Sequence, residues 1–292
     1  MKLLIRKVSV ILPVWWQLYL SKIIIACENV IQLYRIHVLE KAGMCRLPPS
    51  LAVSDKPVCH VLGSGWSLNE SYQLIDRKSS FLVGFNFSFI KCSDPDIHFI
   101  ENASTADARF FINTMDHYAG LERYQVFDKT NVVFKNMSEL KNTIKVIKWV
   151  YAKKAYYIKD KHYRIFSNKS LRPTLIEMLR QKNCLPQAVS SAISLIFFAR
   201  QSGCRTIVLH GVDFYGPHFY GVSLIEAVYR NYSKPSPSEC SNSPHVTASG
   251  KNGVGVREIL IELKSLLELE GVQLLAAVNT SPSSKVLGSF YN

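Results

Sequence analysis

The side chains suited to acid–base and phosphate chemistry fall into a few short clusters. His245 follows a Pro/Ser-rich stretch, Ser233 to Pro244, and carries an imidazole that titrates near neutral pH, as a general base must. A solvated loop histidine is the plain alternative. Tyr215 and Tyr220 supply phenolic O–H groups that can donate to a phosphate oxygen or, equally, pack against a sheet. Ser190-Ser191 heads a helical run, where hydroxyls and free N–H groups meet the positive end of the helix macrodipole; an ordinary N-cap pair reads the same way. Gly63-Ser64-Gly65-Trp66-Ser67 follows the apolar run Pro57 to Leu62. Its glycines permit a sharp turn and a close backbone approach to a phosphate, and Ser67 can cap the next helix or donate a hydrogen bond of its own. The turn has neither the third glycine of a dinucleotide fingerprint nor the Lys-Ser/Thr of a P-loop.

Positioning these groups requires strands that end in turns. Short apolar runs at Val58 to Leu62, Phe81 to Phe85, Ile97 to Ile100, Val132 to Phe134, Thr206 to Leu209 and Val272 to Val278 predict strands. Leu171 to Gln181, Ala188 to Gln201 and Val256 to Glu270 have helical apolar spacing. This alternation predicts an α/β protein with a mostly parallel sheet: a Rossmann-like domain over 55–292, after a link at Leu47-Pro48-Pro49-Ser50. Leu209-His210-Gly211-Val212-Asp213-Phe214-Tyr215 then closes a strand at its carboxyl end, where open α/β sheets bind ligands. Asp213 is placed to accept hydrogen bonds from a ribose, a base or backbone amides. The segment 216–250 contains the Pro/Ser stretch and reads as a flexible lid or as a surface loop. The Lys- and Tyr-rich stretch Asn142 to Ser170 gives no clear element.

The chain carries 35 basic and 22 acidic residues, a formal charge of +13, which favours an anionic partner. Its seven cysteines are odd in number, widely spaced and without a C-x-x-C pair, as reduced thiols in a cytoplasmic protein would be. Asp94-Pro95-Asp96 precedes a strand rather than following one and reads as a turn, not a metal site. In the N-terminal segment 1–46, Val8 to Ala26 is apolar and aromatic but is interrupted by Pro13, Gln17, Ser21 and Lys22. An amphipathic helix lying on an anionic membrane face fits this best, with a true span and an ordinary packed helix as the alternatives.

Taken in order, these pieces resemble the bacterial CST-type sialyltransferases, which transfer sialic acid from CMP-sialic acid to lipo-oligosaccharide. Gly63-Ser64-Gly65-Trp66-Ser67-Leu68 is similar to the family's Gly-Asn-Gly-Pro-Ser-Leu turn, and Asn86 to its strand-end asparagine. Asn102, or alternatively Glu101, stands near a further asparagine. Ser190-Ser191 resembles its Thr-Ser pair, and Gly211-Val212-Asp213-Phe214-Tyr215 its Gly-Ile-Asp-Phe-Tyr, over roughly Lys56 to Leu287. The resemblance implies a GT-A-like variant of the Rossmann fold with a lid, needing no metal or other cofactor. It further implies inverting transfer of sialic acid or a related acidic sugar from a CMP-sugar to a glycan acceptor: lipopolysaccharide, lipo-oligosaccharide or capsule. In that scheme His245 is the base, Tyr215 and Tyr220 steady the departing CMP, and Gly63, Ser64, Gly65, Ser67, Asn86, Asn102, Ser190, Ser191, Gly211, Asp213 and Phe214 line the nucleotide and sugar site. The expected location is the cytoplasmic side of the inner membrane, with a homo-oligomer left open.

Two other classes compete. The pterin diphosphokinase-like proteins share a similar Gly-x-Gly-x-Ser, Ser-x-x-Ala and Gly-x-Asp frame and would require magnesium. A non-catalytic nucleotide or nucleic-acid binding module would use the basic charge, although no RRM- or KH-type motif supports RNA.

Overall fold

A computed structural model describes residues 11–101, 130–135, 155–216, 218–219, 248 and 254–292. In chain order, among these residues, a long helix α1 (Val14–Lys41) leads into β1 (Cys45–Arg46), β2 (Val58–Leu62), β3 (Ser80–Phe85) and β4 (Ile97–Glu101). Then come β5 (Asn131–Lys135), β6 (Ala155–Tyr157), β7 (Asp160–His162), α2 (Asn168–Leu179), β8 (Leu185–Gln187) and α3 (Ser191–Gln201). The chain closes with β9 (Thr206–His210), α4 (Val256–Glu268), β10 (Gln273–Val278) and β11 (Ser289–Tyr291).

Among the described residues, nine strands form one sheet in the order β1-β6-β5-β4-β3-β2-β9-β10-β11, and every neighbouring pair is parallel. β7 and β8 form a separate parallel pair. The fold is thus the expected α/β class with flanking helices, and all six predicted strands and three predicted helices are present. The unassigned Lys/Tyr-rich stretch contains β6, paired with β5 and β1, and β7, paired with β8; at three residues each they are too short to show a side-chain period.

The central strands are apolar on successive residues because both sheet faces are covered. On one face Cys59, Val61, Phe81, Val83, Phe99, Ile207 and Leu209 join the core beneath α2, α3 and α4. On the other, Leu62 and Leu82 pack with Leu68, Cys92 and Phe219. α3 is buried from Ala192 through Ala199, which accounts for a helix that is apolar nearly all round. α4 buries Ile259, Leu260, Leu263 and Leu267 and turns charged groups outward.

The N-terminal segment is tied to this domain. β1 extends the sheet by pairing with β6, the Leu47 amide donates to the Tyr157 carbonyl (2.9 Å), and α1 packs against α2 and β7. No described helix is long and apolar enough to cross a membrane.

Candidate functional site at the carboxyl edge

From β2 the chain runs outward through β3, β4, β5 and β6, then returns on the other side of β2 as β9, β10 and β11. The direction of winding therefore reverses between β2 and β9, and the crevice beyond their carboxyl ends is where parallel sheets of this kind take ligands. Gly63–Ser67 follows β2 and Gly211–Tyr215 follows β9, so both sequence clusters meet at this point. Because the sheet is parallel throughout, Asn86 after β3, Glu101 ending β4, Lys135 ending β5 and Ser281 after β10 lie on the same edge.

At the reversal the two turns are joined by backbone hydrogen bonds. The Gly63 amide donates to the His210 carbonyl (2.7 Å) and the Gly65 amide to the Gly211 carbonyl (2.8 Å). The glycines were expected to bring backbone amides close to a phosphate; these two amides are used by the protein itself. The glycines are required for a different close approach. A Cβ on Gly63 would overlap the Gly211 carbonyl oxygen, and one on Gly65 would meet that same oxygen at 2.8 Å and overlap the Asp213 carboxylate. Gly211 adopts a positive φ of 60°, which its own lack of a Cβ permits. No described residue accepts a hydrogen bond from the Ser64 or the Trp66 amide.

Asp213 anchors the junction. Its carboxylate accepts from the Ser67 amide (2.9 Å), the Ser67 hydroxyl (2.8 Å) and the Ser281 hydroxyl (2.8 Å). Burial raises its pKa, and the Ser67 and Ser281 hydrogen bonds oppose that rise. Of the partners foreseen for Asp213, the one displayed is a backbone amide, and Ser67 spends its hydroxyl on Asp213 rather than on a helix cap. The start of the expected lid is also pinned here. Gly65 bridges His218 in antiparallel fashion, the Phe219 amide donates to the Ser64 carbonyl (3.0 Å), and Gly216 (φ 95°) lies against the Trp66 ring. Phe214 packs on the core, whereas Tyr215 is 45% exposed beside the crevice.

A buried polar chain runs behind this junction. Ser80 Oγ lies 3.1 Å from His60 Nε2, His60 Nδ1 lies 2.7 Å from His210 Nε2, and His210 Nδ1 lies 2.8 Å from Ser71 Oγ. Ser71 donates its own proton to the Ser67 carbonyl (2.9 Å), so its oxygen accepts from His210 Nδ1–H. His210 Nε2 is then an acceptor, His60 donates from Nδ1, and His60 Nε2 accepts from Ser80. One direction of donation satisfies every member, with both rings neutral. Burial holds His60 down to about 4, and burial followed by the neighbouring His60 holds His210 well below its ordinary value.

The outer half of the edge is built from charge. Lys135, a fully buried cation, donates to Glu101 Oε2 (2.8 Å) and to Ser191 Oγ (3.1 Å), while the Ser191 hydroxyl also bonds the Glu101 carboxylate. Ser190 is the N-cap of α3, accepting from the Ala192 amide (3.3 Å). Asn86 accepts from the Glu101 amide through Oδ1 (3.1 Å) and sits at φ 47°, a left-handed backbone that asparagine tolerates better than most residues. Asn86, Glu101, Lys135 and Ser191 thus form one connected cluster.

His245, Tyr220 and Asn102 lie outside the described residues. Lys135, Ser281 and the His60–His210 pair were not singled out from sequence. The histidines did leave a signal: each interrupts or ends an apolar strand run, and a buried polar side chain needs a partner.

No family model matches the chain, and no curated protein matches it. Among solved structures it is similar to the monofunctional α-2,3-sialyltransferase Cst-I from Campylobacter jejuni, with 15% identity, 81% of this chain and 82% of that one covered, and a TM-score of 0.46. It is also similar to the sialyltransferase CST-II in complex with trisaccharide acceptor and CMP (13% identity, 80% and 85% covered, TM-score 0.44). A third is the apo α-2,3-sialyltransferase from Campylobacter jejuni (14% identity, 84% of each chain covered, TM-score 0.45). At these identities the likeness concerns the fold.

Proposed function

We propose that this protein is an inverting glycosyltransferase that moves sialic acid or a related acidic sugar from a CMP-sugar to a surface glycan. The observation that carries the reading is the meeting of Gly63–Ser67, Asn86, Ser190-Ser191 and Asp213–Tyr215, scattered over 150 residues of sequence, along one carboxyl edge at a reversal of winding. Their order along the chain, which resembles that of the CST-type enzymes, supports the same reading.

In this scheme the nucleotide lies over the crevice, with the Ser64 and Trp66 amides as the backbone donors for its phosphate. The acceptor hydroxyl attacks the anomeric carbon as the bond from that carbon to the CMP phosphate oxygen breaks. His245 takes the acceptor's proton. The phosphate oxygen keeps the bonding electron pair and is steadied by hydrogen bonds from Tyr215 and Tyr220. Glycans of this kind are built at the inner membrane face, and a basic chain of +13 suits both an acidic donor and an anionic surface.

A panel of CMP- and UDP-sugars, assayed for nucleotide release with and without glycan acceptor, tests the proposal. We expect CMP release from an acidic-sugar donor, unaffected by EDTA and reduced about 100-fold or more by His245→Ala, the usual scale of general-base loss. Tyr215→Phe should lower kcat about tenfold with little change in KM, the pattern of a contact made in the transition state. Strict magnesium dependence, or no turnover of any CMP-sugar, overturns it.

A further inference from the structure

Helix α1 buries polar side chains alongside Ile25 and Leu39 and turns large apolar ones outward. The residues it buries include Gln17, Ser21 and Gln32, and each is bonded into the domain. Gln17 accepts from the Ser167 hydroxyl (2.8 Å), Ser21 Oγ accepts from the Arg164 amide (3.4 Å), and Gln32 donates to Asp160. Glu28 adds an ion pair with Arg164 (2.8 Å). The opposite side is apolar and exposed: Trp15 is 63%, Tyr19 54%, Val30 68% and Leu33 58% accessible. Spacings of 15, 19, 23, 26, 30 and 33 follow the helical repeat, so these side chains make one stripe about 27 Å long at 1.5 Å per residue. A surface helix in water normally does the reverse.

We propose that this outward stripe is a docking surface for an anionic lipid bilayer, with α1 lying in the plane of the headgroups. Three observations choose this occupant. Trp15, Trp16 and Tyr19 cluster at one end, Trp15 and Trp16 stacked at 4.8 Å, and amphipathic aromatic rings favour the boundary between headgroup and acyl chain. Charge is complementary as well. Lys22 and Lys41 are exposed on this helix and make no ion pair among the described residues, while its two carboxylates are engaged, Glu28 by Arg164 and Glu40 by the Tyr157 hydroxyl (2.6 Å). Finally, the hydrogen bonds of the inner face hold the helix flat against the domain. Crossing the bilayer would break all of them, so the helix enters one leaflet and keeps its polar contacts. The proposal does not depend on the transferase reading.

Flotation of the full chain with phosphatidylcholine vesicles, with and without phosphatidylglycerol, provides the test. We expect binding to the anionic vesicles alone, weakened by salt and accompanied by a blue shift of tryptophan emission. The double variant Trp15→Ser/Trp16→Ser should reduce the bound fraction about tenfold or more, as loss of two buried aromatic side chains implies. A second variant, Val30→Asn/Leu33→Asn, should do likewise, and both should keep the wild-type melting temperature because neither pair packs on the core. Unchanged flotation overturns the proposal. So does reversible self-association in sedimentation equilibrium that both variants abolish, since the stripe would then be an interface between copies.

Discussion

The two halves of the carboxyl edge are held by different physics. At the β2/β9 reversal, turns are joined by backbone hydrogen bonds and a single carboxylate, Asp213, that takes three donors, two of them from Ser67. At β4/β5, a buried cation and a carboxylate share a serine hydroxyl. The first half depends on close approach and tolerates no added atoms. The second depends on charge balance.

The largest effect should come from unbalancing the charged half. Lys135→Met removes the buried cation from the Lys135–Glu101 pair, and breaking such a pair costs about 3–5 kcal/mol. Pairing it with Glu101→Leu removes both charges of the pair together and should cost less than the sum of the two single changes. Urea unfolding of the two single variants and the double variant measures the coupling. If Lys135→Met unfolds at the wild-type midpoint, the ion pair contributes nothing and the contrast between the halves collapses.

The stitched half should break by volume instead. Gly63→Ala puts a methyl into the Gly211 carbonyl, and overpacking of this kind costs about 1–3 kcal/mol, more where backbone must move. Gly271 is the control: it has a positive φ of 71° and open space around its Cβ position, so Gly271→Ala should show only conformational strain of about 1 kcal/mol. Equal losses at 63 and 271 would mean that the close approach carries no weight.

This contrast also explains what the sequence made legible. The stitched half announced itself because a turn without space selects glycine, and glycines at strand ends are visible in the chain. The central strands were visible for a related reason, since burial on both faces writes continuous apolar runs. Lys135 was hidden because its meaning lies in Glu101, 34 residues earlier, and in Ser191, 56 later. β6 and β7 were hidden because each is three residues long, too short to show an apolar period, and their side-chain partners, Glu40 for Tyr157 and Gln32 for Asp160, lie 117 and 128 residues earlier. Gly63 and Gly65 were read as permitting a close backbone approach, and the one displayed is to the His210 and Gly211 backbone, since sequence shows that backbone approaches closely without showing what it approaches.

The smallest effect per group, and the most diagnostic, is the pH response of the chain behind the stitched half. An unfolded histidine titrates near 6.5, whereas His60 is held to about 4 and His210 lower still, in both cases first by burial. Above pH 6.5 both states are neutral and stability is flat. As pH falls from 6.5 toward 4 the unfolded chain takes protons that the folded chain refuses, so stability drops by up to about 1.4 kcal/mol per pH unit for each ring. His98, held to about 3 by burial, contributes in the same direction, whereas Asp213, raised by burial, opposes it near the acid end. The variant His60→Gln/His210→Gln keeps amide donors and acceptors but cannot titrate, so it should remove two rings' worth of this slope and leave that of His98. Urea unfolding at pH 7 and pH 5.5 measures the difference, and nitrogen chemical shifts of both imidazoles should report the Nδ1–H tautomer. A slope unchanged by the double substitution would mean that the rings exchange protons with solvent in the folded state, and the stitched half would then be open where its geometry requires it to be closed.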